Sequence, residues 1–308
     1  MKEPPFLTYS RYLRERHGCT VYRVAVDAGF SCPNRAGGRS SRGCTYCAED
    51  GARAPYLGNR ESLKNQVESA MAFLRGRYDA EAFILYFQAF SNTNAEVDAL
   101  RRMYDSGLEL ASFRGLNVAT RPDCIDEAKA ALLASYRARG LEVWVELGLQ
   151  SACDATLRRI ERGHSHEDFL RAYRLLKEKD LKVAVHLIFG LPGEGFDRIM
   201  ETMDSVARLD PDGVKIHNLH IPAGTILATE LAKGELTAPS PQRHLEYVIA
   251  AIERLPARTV IMRLTCDTPP EKLVAPRDFW PKGTFTDRLT AEMRARGAQQ
   301  GRLFTPAA

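Results

Sequence analysis

Residues 29–51 read GFSCPNRAGGRSSRGCTYCAEDG, in which Cys44 and Cys47 form a C-x-x-C pair and Cys32 lies twelve positions upstream. Two cysteines at that spacing can place both thiolates on one metal centre, and a third from a glycine-rich loop can supply another corner of an iron–sulfur cubane. No fourth ligand is evident nearby. A closed structural zinc site ordinarily has four protein ligands, whereas a catalytic centre keeps one position open. Gly37, Gly38 and Gly43 let the backbone turn closely around a cofactor, and main-chain N–H groups there can stabilise cluster sulfurs. The spacing alone leaves three chemistries open: an iron–sulfur cluster, a zinc knuckle completed by His17 or Cys19, and a redox pair.

Further along, apolar runs pass abruptly into polar side chains. Residues 84–94, ILYFQAFSNTN, turn from strand-like residues into amides and hydroxyls able to bind the amino and carboxylate groups of a ligand. Residues 143–151, VWVELGLQS, bury Glu146 and Gln150 in an apolar context, so each needs either a ligand or an internal partner. Residues 186–194, HLIFGLPGE, form a strand followed by a tight turn. In residues 214–220, VKIHNLH, alternation puts Lys215 and His217 on one face, where they could meet an anionic or uridine-like substrate, or equally be a salt-bridged lysine and a packed histidine. Arg263 and Asp267 fall near the end of a later strand, with Cys266 between them as a candidate partner for a substrate radical.

These groups need a scaffold that brings strand ends together. Runs rich in β-branched and aromatic residues predict strands over 21–26, 83–87, 116–119, 143–149, 183–189, 214–219 and 260–264. Apolar residues at three- and four-residue spacing predict helices over 61–77, 95–106, 125–139, 166–179, 198–209 and 241–255, with Ser165 capping one and Asn94 and Asp98 starting another. This βαβα rhythm implies a parallel sheet in an α/β fold, a partial (β/α)6 barrel with terminal extensions, whose functional residues gather at the carboxyl ends of the strands. The expected division is an N-terminal extension over 1–19, the barrel over 20–230 and a helical and strand extension over 231–308. Stretches near Pro239–Pro241 and after Arg296 read as linker-like.

With 308 residues, 44% hydrophobic and 27% charged, the chain can bury a sizeable core. No apolar stretch approaches the roughly 20 residues of a membrane helix, and residues 1–5, MKEPP, lack the apolar segment of a secretory signal, so no membrane association and a cytoplasmic location are expected. Seven unevenly placed cysteines do not resemble a disulfide framework; Cys124 and Cys153 read as small buried residues. Net charge is only +4, yet Arg11, Arg14, Arg16 and Arg23 precede the cysteine loop and Arg35, Arg39 and Arg42 lie within it. Such density could contact phosphates or form a solvated basic face.

Taken in order, CPNR, GCTYC, YFQAFSNT, ATRPDC, VELGLQS, RGH, GLPGE, KIHNLH and a late RLT-D resemble the radical S-adenosylmethionine (SAM) superfamily. The resemblance covers roughly residues 20–225 and lies in the branch containing the Elongator catalytic subunit and oxygen-independent coproporphyrinogen oxidase, some bacterial members of which are linked to wobble uridine modification in tRNA. It implies a four-iron cluster on Cys32, Cys44 and Cys47, with one iron left to SAM. It places Tyr46 near the SAM adenine, Gln88 in the loop that meets the SAM amino group, and Gln150 and Arg162 on its methionyl part, where a guanidinium suits a carboxylate. A 5′-deoxyadenosyl radical, tRNA as a possible partner, and a one-electron donor such as flavodoxin or ferredoxin follow as expectations. Two positions depart from the oxidase pattern: His186 stands where an aspartate binds the ribose, and Ala119 where a glutamate stands. A small-molecule substrate such as a tetrapyrrole, and a zinc-stabilised nucleic-acid-binding module, are the competing readings.

Overall fold

The computed structural model describes residues 3–35, 37–49, 51 and 62–306. In chain order the elements are α1 (Tyr9–His17), β1 (Val21–Val26), α2 (Leu63–Tyr78), β2 (Ala82–Phe87), α3 (Val97–Leu108), β3 (Phe113–Thr120), α4 (Glu127–Ala138) and β4 (Glu142–Gln150). They continue with α5 (Asp154–Arg159), α6 (His166–Glu178), β5 (Lys182–Phe189), α7 (Phe196–Arg208), β6 (Gly213–Asn218) and β7 (Ile221–Pro222). The chain then forms α8 (Ile226–Ala232), α9 (Pro241–Arg254), β8 (Val260–Arg263), β9 (Leu273–Ala275) and α10 (Lys282–Ala295).

Seven strands pair in the order β1-β2-β3-β4-β5-β6-β8, all parallel, and curl into a half-barrel with β1 and β8 as its outermost strands. All seven expected strands are present within a few residues. The reason is local: parallel strands covered on both sides are apolar on both sides, and that signature needs no tertiary information. One side chain parity faces out. Val24, Leu85, Val118, Val145, Val185 and Ile216 belong to the large core shared with the helices. The other parity faces the lumen, where Trp144, Glu146 and Gly148 follow one another along β4.

The lumen has a floor the sequence patterns did not reveal. Helix α1, short and carrying only Tyr9 and Leu13 as buried residues, packs with Ile84, Trp144, Ala184, Val260 and Met262. Thr8 caps it by accepting from the Arg11 N–H at 3.2 Å, and it ends at Gly18, whose φ of 70° closes the last turn onto the Arg14 carbonyl. Thr8 also bridges Ile261, so the segment before α1 runs beside β8. Trp144 stands edge-on to Tyr9 and Tyr12 at 6.1 and 5.7 Å between ring centroids, geometry the quadrupole of an aromatic ring favours.

Six helices match expectation, although the expected start at Glu61 lies outside the described residues. Helix α6 begins with Ser165 and Asp168 in a reciprocal capping box, as Ser165 foretold. Asn94 does not cap α3: Glu96 occupies that position without a side-chain bond, and Asp98 sits in the first turn. Helices α1, α5, α8 and α10 and the small β7–β9 pair were not foreseen. Neither linker-like stretch is one. Pro239 packs so tightly on Gly190 that a Cβ there would lie 2.1 Å from the proline Cγ, and Ser240 caps α9 with Pro241 as its first residue. In the tail, the Gln300 amide donates to the Pro256 and Thr259 carbonyls at 2.7 and 2.8 Å and its oxygen accepts from the Leu7 N–H at 2.8 Å.

Candidate active site

At the carboxyl ends of the strands the cysteine loop folds over the barrel and is held by Arg35. Its guanidinium donates to the Arg39 and Ser41 carbonyls at 2.6 Å, to the Ala48 carbonyl at 2.6 Å and to the Cys47 sulfur at 3.3 Å. Four acceptors fixed by one planar fork make a rigid loop out of residues with little secondary structure of their own. Asn34 ties the loop to the barrel, its amide donating to Cys44 Sγ at 3.2 Å and to the carbonyls of Glu161 and Arg162 at 2.7 and 3.0 Å. That approach needs Gly163, where φ is 80° and a Cβ would stand 2.4 Å from Asn34 Oδ1.

The thiols differ electrostatically. Burial pushes Cys44 up, but the guanidinium groups of Arg162 and Arg121, with the Asn34 amide, outweigh it and hold the thiol below its ordinary range. Burial keeps Cys47 above that range despite Arg35, and the neighbouring Cys44 and Cys32 add to the rise. The donor set of three thiols, ringed by three guanidinium groups, suits a sulfur-rich anionic cluster. Among the described residues no three of His, Cys, Asp and Glu converge on a single metal ion. His17 and Cys19 lie with the floor, His17 at 3.5 Å from Glu142 and Cys19 beside the α1 contacts, away from Cys44.

Gln150 and Arg162 come together at Gly148, and Arg162 reaches Cys44. The β4–β5 register shifts between Gly148 and Gln150, and Gln150 takes a φ of 72°, which swings its side chain at the strand end. Arg162 is buried, donates to the Gly148 carbonyl at 2.9 Å and His164 Nε2 at 3.0 Å, and reaches to 3.9 Å from Cys44 Sγ. Gly148 makes room for both: a Cβ would lie 2.5 Å from Arg162 Nη2 and 2.8 Å from Gln150 Nε2. Gln150 Oε1 is buried without a protein partner. Tyr46 packs half-buried against Leu157, Ile160 and Leu191, and the Gln88 backbone N–H bonds the Val26 carbonyl at 3.1 Å.

Of the neighbouring amides and hydroxyls, Asn92 and Thr93 turn inward. Asn92 donates to the Ala89 and Ala119 carbonyls at 2.9 and 3.0 Å, and Thr93 bonds Thr120 and the Cys124 carbonyl at 2.5 and 2.7 Å.

Deeper in the lumen, Glu146 accepts from Arg23, from the Tyr86 hydroxyl at 2.5 Å and from Lys215 Nζ at 2.7 Å, while Lys215 also reaches Tyr86 at 3.1 Å. Arg23 lies over the rings of Tyr9 and Tyr86 at 5.0 and 4.7 Å. Burial would raise the Glu146 carboxyl, but Lys215 and Arg23 hold it well below the carboxylate range; burial draws Lys215 below its ordinary value. Lys215 is therefore an internally paired lysine. Above it His186 and His217 meet ring to ring at 4.3 Å, and the Nε2 of each is buried without a partner. Cys266 donates its thiol to the Asn218 carbonyl at 3.4 Å, and burial raises it to about 12.

Asn34, Arg35, Arg121, Tyr86 and Arg23 take places in the site that spacing did not assign, Arg35 and Arg23 having been read only as phosphate contacts or a solvated basic face. The first two adjoin Cys32 in CPNR and Arg121 lies in ATRPDC, so motif neighbours were the available signal; for Tyr86 and Arg23 it is strand parity, which matters only once register is known.

Comparison with known proteins adds family. A model described as the radical SAM superfamily matches residues 36–206, and one described as the radical SAM C-terminal domain matches 211–295. The chain is 35% identical over 303 residues to the uncharacterized protein YtqA of Bacillus subtilis, covering 98% of this chain and 94% of that one. It is 30% identical over 162 residues to a tRNA uridine(34) acetyltransferase of Methanocaldococcus infernus, covering 52% of this chain and 30% of that enzyme. Among solved structures it is similar in fold to Methanocaldococcus infernus Elp3 lacking its N-terminus, with a TM-score of 0.70 at 22% identity, covering 91% of this chain and 64% of that one.

Proposed function

The chain belongs to the radical SAM superfamily, and on that footing we propose that it holds a four-iron cluster on Cys32, Cys44 and Cys47, binds SAM beside it, and modifies the wobble uridine of tRNA. Support for the cofactor sites comes above all from Arg162 beside Cys44 and from the unpartnered Gln150 Oε1 near Arg162, where an amino-acid carboxylate and ammonium would each find a counterpart. The thiolates of a cubane each take a different iron, so they need not converge as zinc ligands do. When bound, the cluster and SAM supply reductive cleavage of SAM to a 5′-deoxyadenosyl radical.

The residues of this chain bind, orient and shield. Asn34 and Arg35 fix the loop sulfurs, Arg121 and Arg162 offset their charge, and Tyr46 offers an aromatic face to an adenine. The Gln88 turn, held by its backbone bond to Val26, would face the SAM amino group. His186, where the oxidase pattern has an aspartate, meets His217 of the substrate side proposed for Lys215, His217 and Cys266. Glu146 keeps Lys215 charged and fixed, so the lysine shapes the chamber's field instead of moving through it. The floor beneath closes that end of the chamber to water.

The tRNA assignment draws on the likeness to tRNA uridine(34) acetyltransferases over half of this chain. A flavodoxin or ferredoxin is the proposed electron donor and the cytoplasm the proposed location; among the described residues no helix is long and apolar enough to cross a membrane. Anaerobic reconstitution should give about four irons per chain, and 5′-deoxyadenosine on reduction with SAM. Nucleosides of tRNA from cells with and without the gene should differ at the wobble uridine; an unchanged profile overturns the tRNA assignment in favour of a small molecule such as a tetrapyrrole.

A further inference from the structure

We propose that the open side of the half-barrel, between Arg263 at the end of β8 and the start of α10, binds an anionic group of the substrate, either a carboxylate or a phosphate. This deepens the assignment of the lumen as a substrate chamber and rests on it, but it concerns groups remote from the cysteine loop.

Lumen charge is the first observation. Glu146 is already shared by Arg23, Lys215 and the Tyr86 hydroxyl, leaving that group with one positive charge in excess. Arg263 pairs in register with Lys215 across β6 and β8, which puts a further cation beside the first two. Lys282, at the first position of α10, lies close enough to Arg263, Asp267 and Arg23 to feel their charges. Among the described residues neither the Arg263 nor the Lys282 side chain makes a hydrogen bond or ion pair, and Asp267 is the acid whose charge reaches Lys282. A concave space with low-dielectric walls and surplus cations concentrates an anion.

Unmet hydrogen-bonding capacity is the second. His217 is nine-tenths buried, on the same face of β6 as Lys215, and its Nε2 meets no protein atom; His186 Nε2 beside it is also unpartnered. Buried ring nitrogens without partners are uncommon unless something else meets them. Helix α10 adds a third: it runs for 14 residues, and no side chain caps its first turn, so its N–H groups and the positive end of its dipole are free beside Lys282. Arg263 suits the anion best, because its planar fork can donate twice to one carboxylate or phosphate.

The assignment is tested on the full chain as purified, without cluster or SAM, by titrating acetate and inorganic phosphate at constant low ionic strength and following ring-nitrogen resonances of the histidines. One of the two anions should bind saturably and shift the His217 signal, and its identity names the class. Arg263→Gln should weaken that binding at least tenfold and Lys282→Gln several-fold, while Lys64→Gln, on the outer face of α2, should leave it unchanged. If Arg263→Gln does not fold, the exposed Lys282 carries the test. No saturable binding of either anion, or equal binding by wild type and Lys282→Gln, overturns the proposal. Because neither cofactor is present, a failure of SAM cleavage would sink the proposed function and leave this result standing.

Discussion

The floor and the mouth of the half-barrel are built from the same strands and differ in how their polar groups end. At the floor, Tyr12, Trp144 and Lys182 converge on Glu142, the first two at 2.6 Å, around an aromatic plug. One step up, Glu146 has three donors. At the mouth, Gln150 Oε1, His186 Nε2 and His217 Nε2 are buried with nothing from the protein to meet them. A closed network holds shape, whereas an open one leaves positions that the proposed ligands could meet, and one gives way to the other within a few residues of β4.

The strongest way to sharpen this contrast is to remove a mouth group and a floor group side by side. Cys44→Ala should abolish cluster absorbance and SAM cleavage altogether while changing the urea midpoint little, since the thiol is not part of the main core. Trp144→Ala should do the reverse, costing about 3–5 kcal/mol of stability through the cavity it leaves, read from urea unfolding. Glu146→Ala should cost a comparable amount, about 3–5 kcal/mol, because Arg23 and Lys215 would stay buried without their acid. If Glu146→Ala unfolded no more easily than wild type while losing SAM cleavage, the network would belong to the working part and the contrast would break.

Acid should find the mouth first. Burial draws His217 well below its ordinary value and His220 and His244 to about 4, so each is neutral in the folded protein. The unfolded chain therefore binds more protons below about pH 6.5, and stability falls as pH drops from there toward the folded values, by up to about 1.4 kcal/mol per pH unit for each such histidine. Thermal melts between pH 7.5 and 5 should show this fall, and His217→Gln should flatten it. The smallest effect expected is Gly163→Ala, about 1–3 kcal/mol for a Cβ at positive φ. It should also push Asn34 away from Cys44 and lower the iron content recovered on reconstitution.

How much of this could be read beforehand follows the same division. The strands were legible because each carries its own apolar signature, and Cys32, Cys44 and Cys47 because a three-residue spacing is local chemistry. Helix α1 was not, since nine residues containing three arginines present only Tyr9 and Leu13 to the interior. Arg35 and Arg121 were hidden for a related reason: an arginine is by default a surface residue, and only the folded loop shows one closing four bonds on it. Lys215 was visible as a polar residue in an apolar strand, but its partner is 69 positions away and depends on register.

The bridge from Thr8 to Ile261 and the bond between Leu7 and Gln300 bear on how the chain is made. The latter spans 293 positions, so Leu7 is synthesised long before the residue it bonds. At roughly 5–20 residues per second that delay is on the order of 15–60 s. During it α1 can meet Ile84, Trp144 and Ala184 as each emerges, but the segment before it still lacks β8 and the tail. That side of the floor would stay open until the residues that cover it appear, the interval in which a nascent chain most needs a chaperone.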